Sequence, residues 1–272
     1  MVIQGADIVT AEARDAFRRD GVCRLVGAID PHALADLERC WQWSMDHPGP
    51  LSSGLLRDGS DAHQDLCNPA AMDIYEPVLR ATGLAEVVAA LWEKPEVWFM
   101  YEQVFRKSGG NAGRTPWHQD LPYLAVNGAD LAVIWISFDA VPENVALEFV
   151  RGSHRGPLYD GSRFDPEDPT LPLYGTGDLP RLPDIEKQRA DYDILSFDIE
   201  PGDVVVFHPA MLHGGAPTTD ECPERRTLTL RFFGEDAVYE PRPGPAGPFF
   251  QVWRDSLQPG DAFRHPFFPR LS

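Results

Sequence analysis

Thr115-Pro116-Trp117-His118-Gln119-Asp120-Leu121 places a histidine and an aspartate two positions apart, after a Gly-rich turn that closes an apolar run. Residues i and i+2 of an extended chain project to the same side. An imidazole and a carboxylate can therefore reach one metal ion from a single strand end, and a second imidazole must come from a distant strand. Two histidines and one carboxylate on one face suit Fe(II), because positions stay open for cosubstrate and oxygen. His213, after the apolar run Val204–Phe207, supplies the second imidazole. The expected metal ligands are His118, Asp120 and His213.

Outward from this segment, short apolar or alternating runs recur between turn signals: Val97–Phe105, Leu131–Phe138, Leu147–Val150, Ile194–Ile199, Val204–Phe207 and Thr227–Phe233. Many short strands of this kind predict a sandwich or barrel. Residues 155–193 are polar and rich in Pro, Gly and Asp, and read as a lid insertion between strands. Residues 241–272 alternate proline with aromatics, as a tail across the outside of the barrel would. Upstream, residues 1–95 read as mainly helical. Thr10 caps a helix that runs to Asp20 and stops at Gly21, and a short strand follows over Val22–Val26. Asp30 and Pro31 open a second helix, and a third spans Leu84–Trp92. Residues 48–70 read as loop. No linker divides the chain, so one domain is expected over 1–272, with its β core in 96–240.

The tripeptide is weak evidence by itself, since His63-Gln64-Asp65 repeats it. No apolar run leads into His63, which is expected to be a surface loop residue or to stand on the substrate side, and not to be the primary iron site. His154 ends a turn and reads as structural. His208, next to Pro209, reads as a strand cap.

Around His118 the context is richer. Thr115 to Leu121 resembles the iron-binding segment of the phytanoyl-CoA dioxygenase family. Trp135-Ile136-Ser137-Phe138, Leu147-Glu148-Phe149-Val150-Arg151-Gly152-Ser153-His154, Pro201-Gly202-Asp203-Val204, His213-Gly214-Gly215 and Arg225-Arg226-Thr227-Leu228-Thr229-Leu230-Arg231 are similar, in order, to its later core segments. The resemblance covers about Gln103 to Phe233. It implies a mainly-β, double-stranded β-helix (jelly-roll, cupin-like) core with the N-terminal helices packed outside. It also implies Fe(II), 2-oxoglutarate as cosubstrate, and O2. The expected chemistry is decarboxylation of 2-oxoglutarate to succinate and CO2, coupled to hydroxylation of an unactivated C–H bond.

The distal carboxylate of a buried 2-oxoglutarate calls for a bidentate cation, and arginine fits. The resemblance selects Arg225, at the start of the strand after the distal histidine. Arg226 stays open as the alternative on the opposite strand face. By the same likeness Gln103 and Trp135 border the cosubstrate, although each also reads as barrel wall or core packing. Lys107 falls where the family often has a lysine, or is a solvated strand end. There are departures. Val145 stands in place of a glycine, Arg151 in place of a proline and Gly215 in place of a serine. The segment from His213 to Arg225 is one residue longer than expected.

Forty-two acidic against 24 basic residues give a net charge of -18. Such a field repels phosphate backbones and anionic membranes, so neither nucleic acid nor membrane is an expected partner. No run approaches the roughly 18 apolar residues of a membrane span. The N-terminus lacks a signal-peptide pattern, and the four scattered cysteines form no CxxC pair, which fits a reducing cytoplasm. The expected partner is a small organic molecule, for which a carboxylic acid is one option. A carboxylate in the third ligand position leaves no place for chloride, which disfavours a halogenase. The rival readings are a non-catalytic ligand-binding jelly roll and an oxygenase acting on a protein side chain.

Overall fold

A computed structural model describes residues 5–54, 61–110 and 112–272. Its first helix, α1 (Ala11–Asp20), begins where the Thr10 hydroxyl accepts a hydrogen bond from the Ala13 amide, and it ends at Gly21 in the left-handed region. Helix α2 (Pro31–Asp46) begins where the Asp30 carboxylate accepts from the amides of His32 and Ala33. Pro31 occupies the first turn, where a missing N–H costs nothing. Helices α3 (Met72–Thr82) and α4 (Leu84–Trp92) meet at Gly83. Only α4 is legible in the sequence. In α3, Pro77 interrupts the pattern and no side chain caps the start, so burial of Tyr75 and Leu79 holds the helix instead.

The strands are β1 (Val22–Leu25), β2 (Ser53–Gly54), β3 (Asp61–Leu66), β4 (Trp98–Ser108), β5 (Thr115–His118), β6 (Val126–Asn127), β7 (Leu131–Ser137), β8 (Leu147–Val150), β9 (Ile194–Leu195), β10 (Val204–Phe207), β11 (His213–Gly215), β12 (Arg225–Phe233) and β13 (Val238–Tyr239). They form a large antiparallel sheet, β1-β10-β7-β12-β4-β3-β2, a smaller sheet, β5-β11-β8-β9, and the short pair β13-β6. Along β12, Leu228, Leu230 and Phe232 enter a core shared with the helices. Arg225, Thr227, Thr229 and Arg231 face the cavity between the sheets. From the large sheet Val133, Trp135, Val205 and Phe207 pack against Leu147 and Phe149 of β8. The result is the expected mainly-β jelly roll with helices outside.

Three expectations need correction. Residues 48–70 are not all loop: β3 extends the large sheet by pairing with β4, which puts His63 and Asp65 on a strand. Its sequence, Asp-Ala-His-Gln-Asp-Leu, is too polar to announce a strand, and its pairing overrides weak propensity. The run Ile194–Ile199 yields only the two residues of β9. Asp120 does not sit on the strand of His118. β5 ends at His118, and Asp120 adopts helical dihedrals at the start of a 3-10 turn, Leu121–Tyr123.

The tail is tied to the large sheet. The Leu271 amide donates to the Val97 carbonyl at 2.8 Å, and the Phe99 amide to the Pro269 carbonyl at 3.0 Å. Trp253, Phe263 and Phe268 cluster with Phe233 of β12. No described helix is long and apolar enough to cross a membrane.

Gly21 joins α1 to β1 with φ +81°, and a Cβ there would stand 2.3 Å from both His154 Nδ1 and Met211 Sδ. Gly21→Ala is therefore expected to lose about 1–3 kcal/mol of stability, the usual range for a strained backbone position. A denaturant titration against wild type measures it.

Candidate metal and cosubstrate site

His118 ends β5 and His213 begins β11, and the two residues are direct partners across those strands. Their rings lie 4.2 Å apart between centroids. Asp120 is brought beneath them because the Asp120 and Leu121 amides both donate to the Pro209 carbonyl, at 2.8 and 2.9 Å. Asp120 Oδ1 lies 3.5 Å from His118 Nε2 and 3.8 Å from His213 Nε2. All three side chains are buried.

Hydrogen bonds fix which ring nitrogens face the centre. His118 Nδ1 is 2.8 Å from the Pro116 carbonyl, and His213 Nδ1 is 3.0 Å from the Met211 carbonyl. A carbonyl only accepts, so each Nδ1 carries a proton and each Nε2 is the nitrogen left to face the centre. Burial, reinforced by the nearby His118, lowers the pKa of His213 to about 4 and keeps it neutral. Burial opposes charge on Asp120 too. Arg231, whose Nη2 donates to Oδ2 at 2.9 Å, and the two imidazoles nevertheless hold this carboxyl well below the usual range. Two imidazoles and one carboxylate with inward donor atoms fit a divalent iron. Ligands at right angles around one ion stand about 3 Å apart, and the donor atoms of the three residues lie within 4.8 Å of one another, so the set would draw together around an ion.

The same cavity, about 630 Å³, contains Gln103, Trp135, Lys107 and Arg225. Arg225 is 5% exposed and donates to the Val145 carbonyl. Among the described residues no carboxylate stands within ion-pair distance of it, and burial lowers its pKa to about 10. Arg226 lies on the other face, paired with Asp139 and Glu38. Lys107 is not a solvated strand end. It is 4% exposed, sits opposite Arg225 in the β4–β12 register, and donates to the Gly113 carbonyl and the Thr115 hydroxyl. Trp135 is buried with one face on the cavity. The Gln103 side-chain amide Nε2 donates to Gln64 Oε1 at 3.2 Å.

The second tripeptide divides along its strand. Gln64 and Leu66 face the cavity, whereas His63 and Asp65 alternate to the other side, where Asp65 accepts from the Gly49 amide at 2.8 Å. His63→Ala is expected to leave Fe(II) affinity within about twofold of wild type, because its ring is not directed at the cavity. Iron loss equal to that of His118→Ala, measured by anaerobic titration, would assign the metal to the wrong tripeptide. His154 and His208 stand with their rings 5.9 Å apart and line a separate hollow.

A model of the phytanoyl-CoA dioxygenase (PhyH) family matches residues 17–227. The chain belongs to this family. It is 27% identical over 194 residues to a probable phytanoyl-CoA dioxygenase of Caenorhabditis elegans, covering 68% of this chain and 59% of that protein. To the peroxisomal phytanoyl-CoA dioxygenase of Rattus norvegicus it is 25% identical over 171 residues, covering 60% and 48%. The chain thus spans about half the length of these relatives. Among solved structures it is similar to the non-heme alpha ketoglutarate dependent carbocyclase SnoK, with TM-score 0.74, 16% identity and 98% of each chain covered. It is also similar to EctD from S. alaskensis with 2-oxoglutarate and 5-hydroxyectoine, with TM-score 0.63, 18% identity, and 93% of this chain and 85% of that one covered. At such identities the likeness is one of fold.

Three of the four departures from the PhyH pattern have local accounts. A Cβ on Gly215 would meet Thr115 Oγ1 at 3.2 Å and Arg225 Nη2 at 3.3 Å. The hydroxyl beside Arg225 is therefore supplied by Thr115 across the strand pair, and glycine leaves room for it. Arg151 ties Asp20 at the end of α1 to Asp193 at the end of segment 155–193, at 2.8 and 2.7 Å. The longer link before Arg225 folds into a turn closed by mutual backbone hydrogen bonds of Thr219 and Cys222.

Sequence reasoning passed over Arg231, Thr115, Gln64, Phe164 and Phe249, all of which line the cavity. The signal for Arg231 was its parity with Arg225 on β12. The two phenylalanines lie outside any strand, so no periodicity marked them.

Proposed function

We propose that the chain is an Fe(II)- and 2-oxoglutarate-dependent dioxygenase that hydroxylates an unactivated C–H bond of a small organic substrate. The observation that carries this reading is one cavity holding both an inward-facing His-Asp-His set and a buried arginine with no carboxylate partner among the described residues. His118, Asp120 and His213 would hold the metal, which would supply O2 activation. Arg225 would take the distal carboxylate of 2-oxoglutarate in a charge-assisted pair, with Lys107 and the Thr115 hydroxyl beside it. Trp135 and Gln103 would wall the cosubstrate, and Arg231 would keep Asp120 ionised and its Oδ1 turned to the ion. In the balance, C1 of 2-oxoglutarate leaves as CO2. One oxygen atom enters succinate and the other enters the substrate hydroxyl. Four buried free cysteines suit a reducing compartment such as the cytoplasm.

The test is succinate formation from 2-oxoglutarate under air with Fe(II), followed by mass spectrometry. Iron-dependent succinate, even at a low uncoupled rate, supports the oxygenase. No succinate and no 2-oxoglutarate binding would instead indicate a non-catalytic binding protein.

A further inference from the structure

Phe164 lies in segment 155–193, lines the cavity and leaves 42% of its surface exposed. Its φ is +54°, a conformation that a bulky residue adopts only when its surroundings impose it. The surroundings are identifiable. The Phe164 amide donates to Ser162 Oγ at 2.9 Å. Ser162 is in turn clasped by Tyr123, whose hydroxyl donates to the Ser162 carbonyl at 2.6 Å and accepts from the Ser162 amide at 2.7 Å. Tyr123 belongs to the 3-10 turn that follows Asp120. The clasp holds the Phe164 ring edge-on to His118 at 5.1 Å and nearly parallel to Tyr123 at 5.8 Å. An apolar ring kept in water, in a strained conformation, beside a residue of the proposed metal set is suited to a contact made by a ligand.

Phe249, 40% exposed, lines the same cavity from the tail. Two of the arginines around the cavity are already neutralised. Arg114 and Arg189 both pair with Glu148 and Glu186, and they flank Trp117. Asp165, which accepts from the Glu167 and Asp168 amides and has no cation partner among the described residues, adds negative charge to the lining, whereas Asp184 is paired with Lys187. An anionic nucleotide-bearing tail would meet repulsion there. On the β3–β4 wall the Gln64 and Gln103 side chains, bonded to each other, present amide groups to the cavity.

From this we infer that the primary substrate is an uncharged molecule with a flat ring system, seated on the exposed face of Phe164 with Phe249 beside it, and bearing a hydroxyl or carbonyl that the Gln64–Gln103 amides can bind. Aromatic faces hold flat rings by offset stacking, and the neutral amides match a neutral polar group. The inference rests on the proposed oxygenase reading and deepens it.

The test uses the full chain loaded anaerobically with Fe(II) and 2-oxoglutarate, with 2-naphthol as fluorescent probe and decanoate and decanoyl-CoA as competitors. Wild type should bind 2-naphthol more tightly than either competitor. Phe164→Leu, equally apolar but without a flat face, should weaken 2-naphthol binding tenfold or more, and Phe164→Tyr should retain it. Phe164→Asn should weaken it likewise with an unchanged or raised melting temperature, because asparagine tolerates the left-handed region. Tight binding by Phe164→Leu, or preference for decanoate or decanoyl-CoA, overturns the inference. So does affinity that falls only in step with melting temperature, which would make Phe164 structural. Failure of wild type to bind 2-oxoglutarate with Fe(II) would instead sink the oxygenase reading. Normal 2-oxoglutarate binding without 2-naphthol binding sinks this inference alone.

Discussion

Asp120→Ala and His213→Ala are each expected to abolish Fe(II) retention and succinate formation, while differing sharply in what they do to the metal-free protein. Asp120 Oδ2 accepts from Arg231, which is 6% exposed and has two further buried nitrogens, Nε and Nη1, without hydrogen-bond partners. Arg231 also lies over the Tyr101 ring at 4.8 Å, a contact that does not replace a carboxylate. Removing one partner of a buried ion pair costs about 3–5 kcal/mol, because the other charge is stranded. His213→Ala strands no charge, since burial already keeps that imidazole neutral. Urea midpoints in the presence of a chelator should place Asp120→Ala well below His213→Ala. The double variant Asp120→Ala/Arg231→Met should recover most of that stability without recovering iron, as apolar replacements of buried ion pairs often do. Equal midpoints for the two single variants would mean that the Arg231 pair contributes little.

Arg225→Ala should raise the apparent KM for 2-oxoglutarate by two orders of magnitude or more. The guanidinium is buried and lacks a carboxylate partner among the described residues. Loss of a desolvated ion pair of about 3–5 kcal/mol corresponds to that factor at 1.4 kcal/mol per decade. Iron should bind as before, because the three donor side chains remain. Arg226→Ala should change KM little. Its partners Asp139 and Glu38 lie on the opposite face, so the expected cost is one of stability. Steady-state kinetics of both variants with parallel iron titrations decide it. A damaging Arg226→Ala beside a mild Arg225→Ala would move the cosubstrate anchor by one residue.

The barrel and the residues of its site were legible to different depths, for physical reasons. Metal chemistry demands particular side chains, so a His-x-Asp pair and a distal histidine could be sought directly, but preferring His118 to His63 required the apolar runs and the family-like segments around it. Alternation along β12 put Arg225 and Arg226 on opposite faces, and the family resemblance chose between them. The same alternation contained Arg231, yet its partner Asp120 is 111 positions away and nothing local announces the pair. β3 was missed because its six residues carry little apolar signal, and only pairing with β4 makes them a strand. Phe164 and Phe249 were missed because irregular backbone has no period to read. The helical dihedrals of Asp120 were missed because two amide bonds to the distant Pro209 carbonyl, and not local preference, set them.

The strap formed by residues 269–271 has a consequence for how the molecule is made. Strand β4 lies in the middle of the large sheet, yet the segment leading into it bonds to residues near 270, and β1 at the sheet edge finds its partner only in β10. During synthesis these early segments emerge long before the residues that complete them. Until then, the apolar side chains of β4 and the edge of β1 face the nascent-chain environment unpaired. Contacts of such sequence separation slow folding, since a long loop must close before they contribute. A chain cut shortly before residue 269 keeps β10 and β12 and loses only the bonds that Val97 and Phe99 make with the strap, so it would close the sheet but leave the start of β4 uncovered.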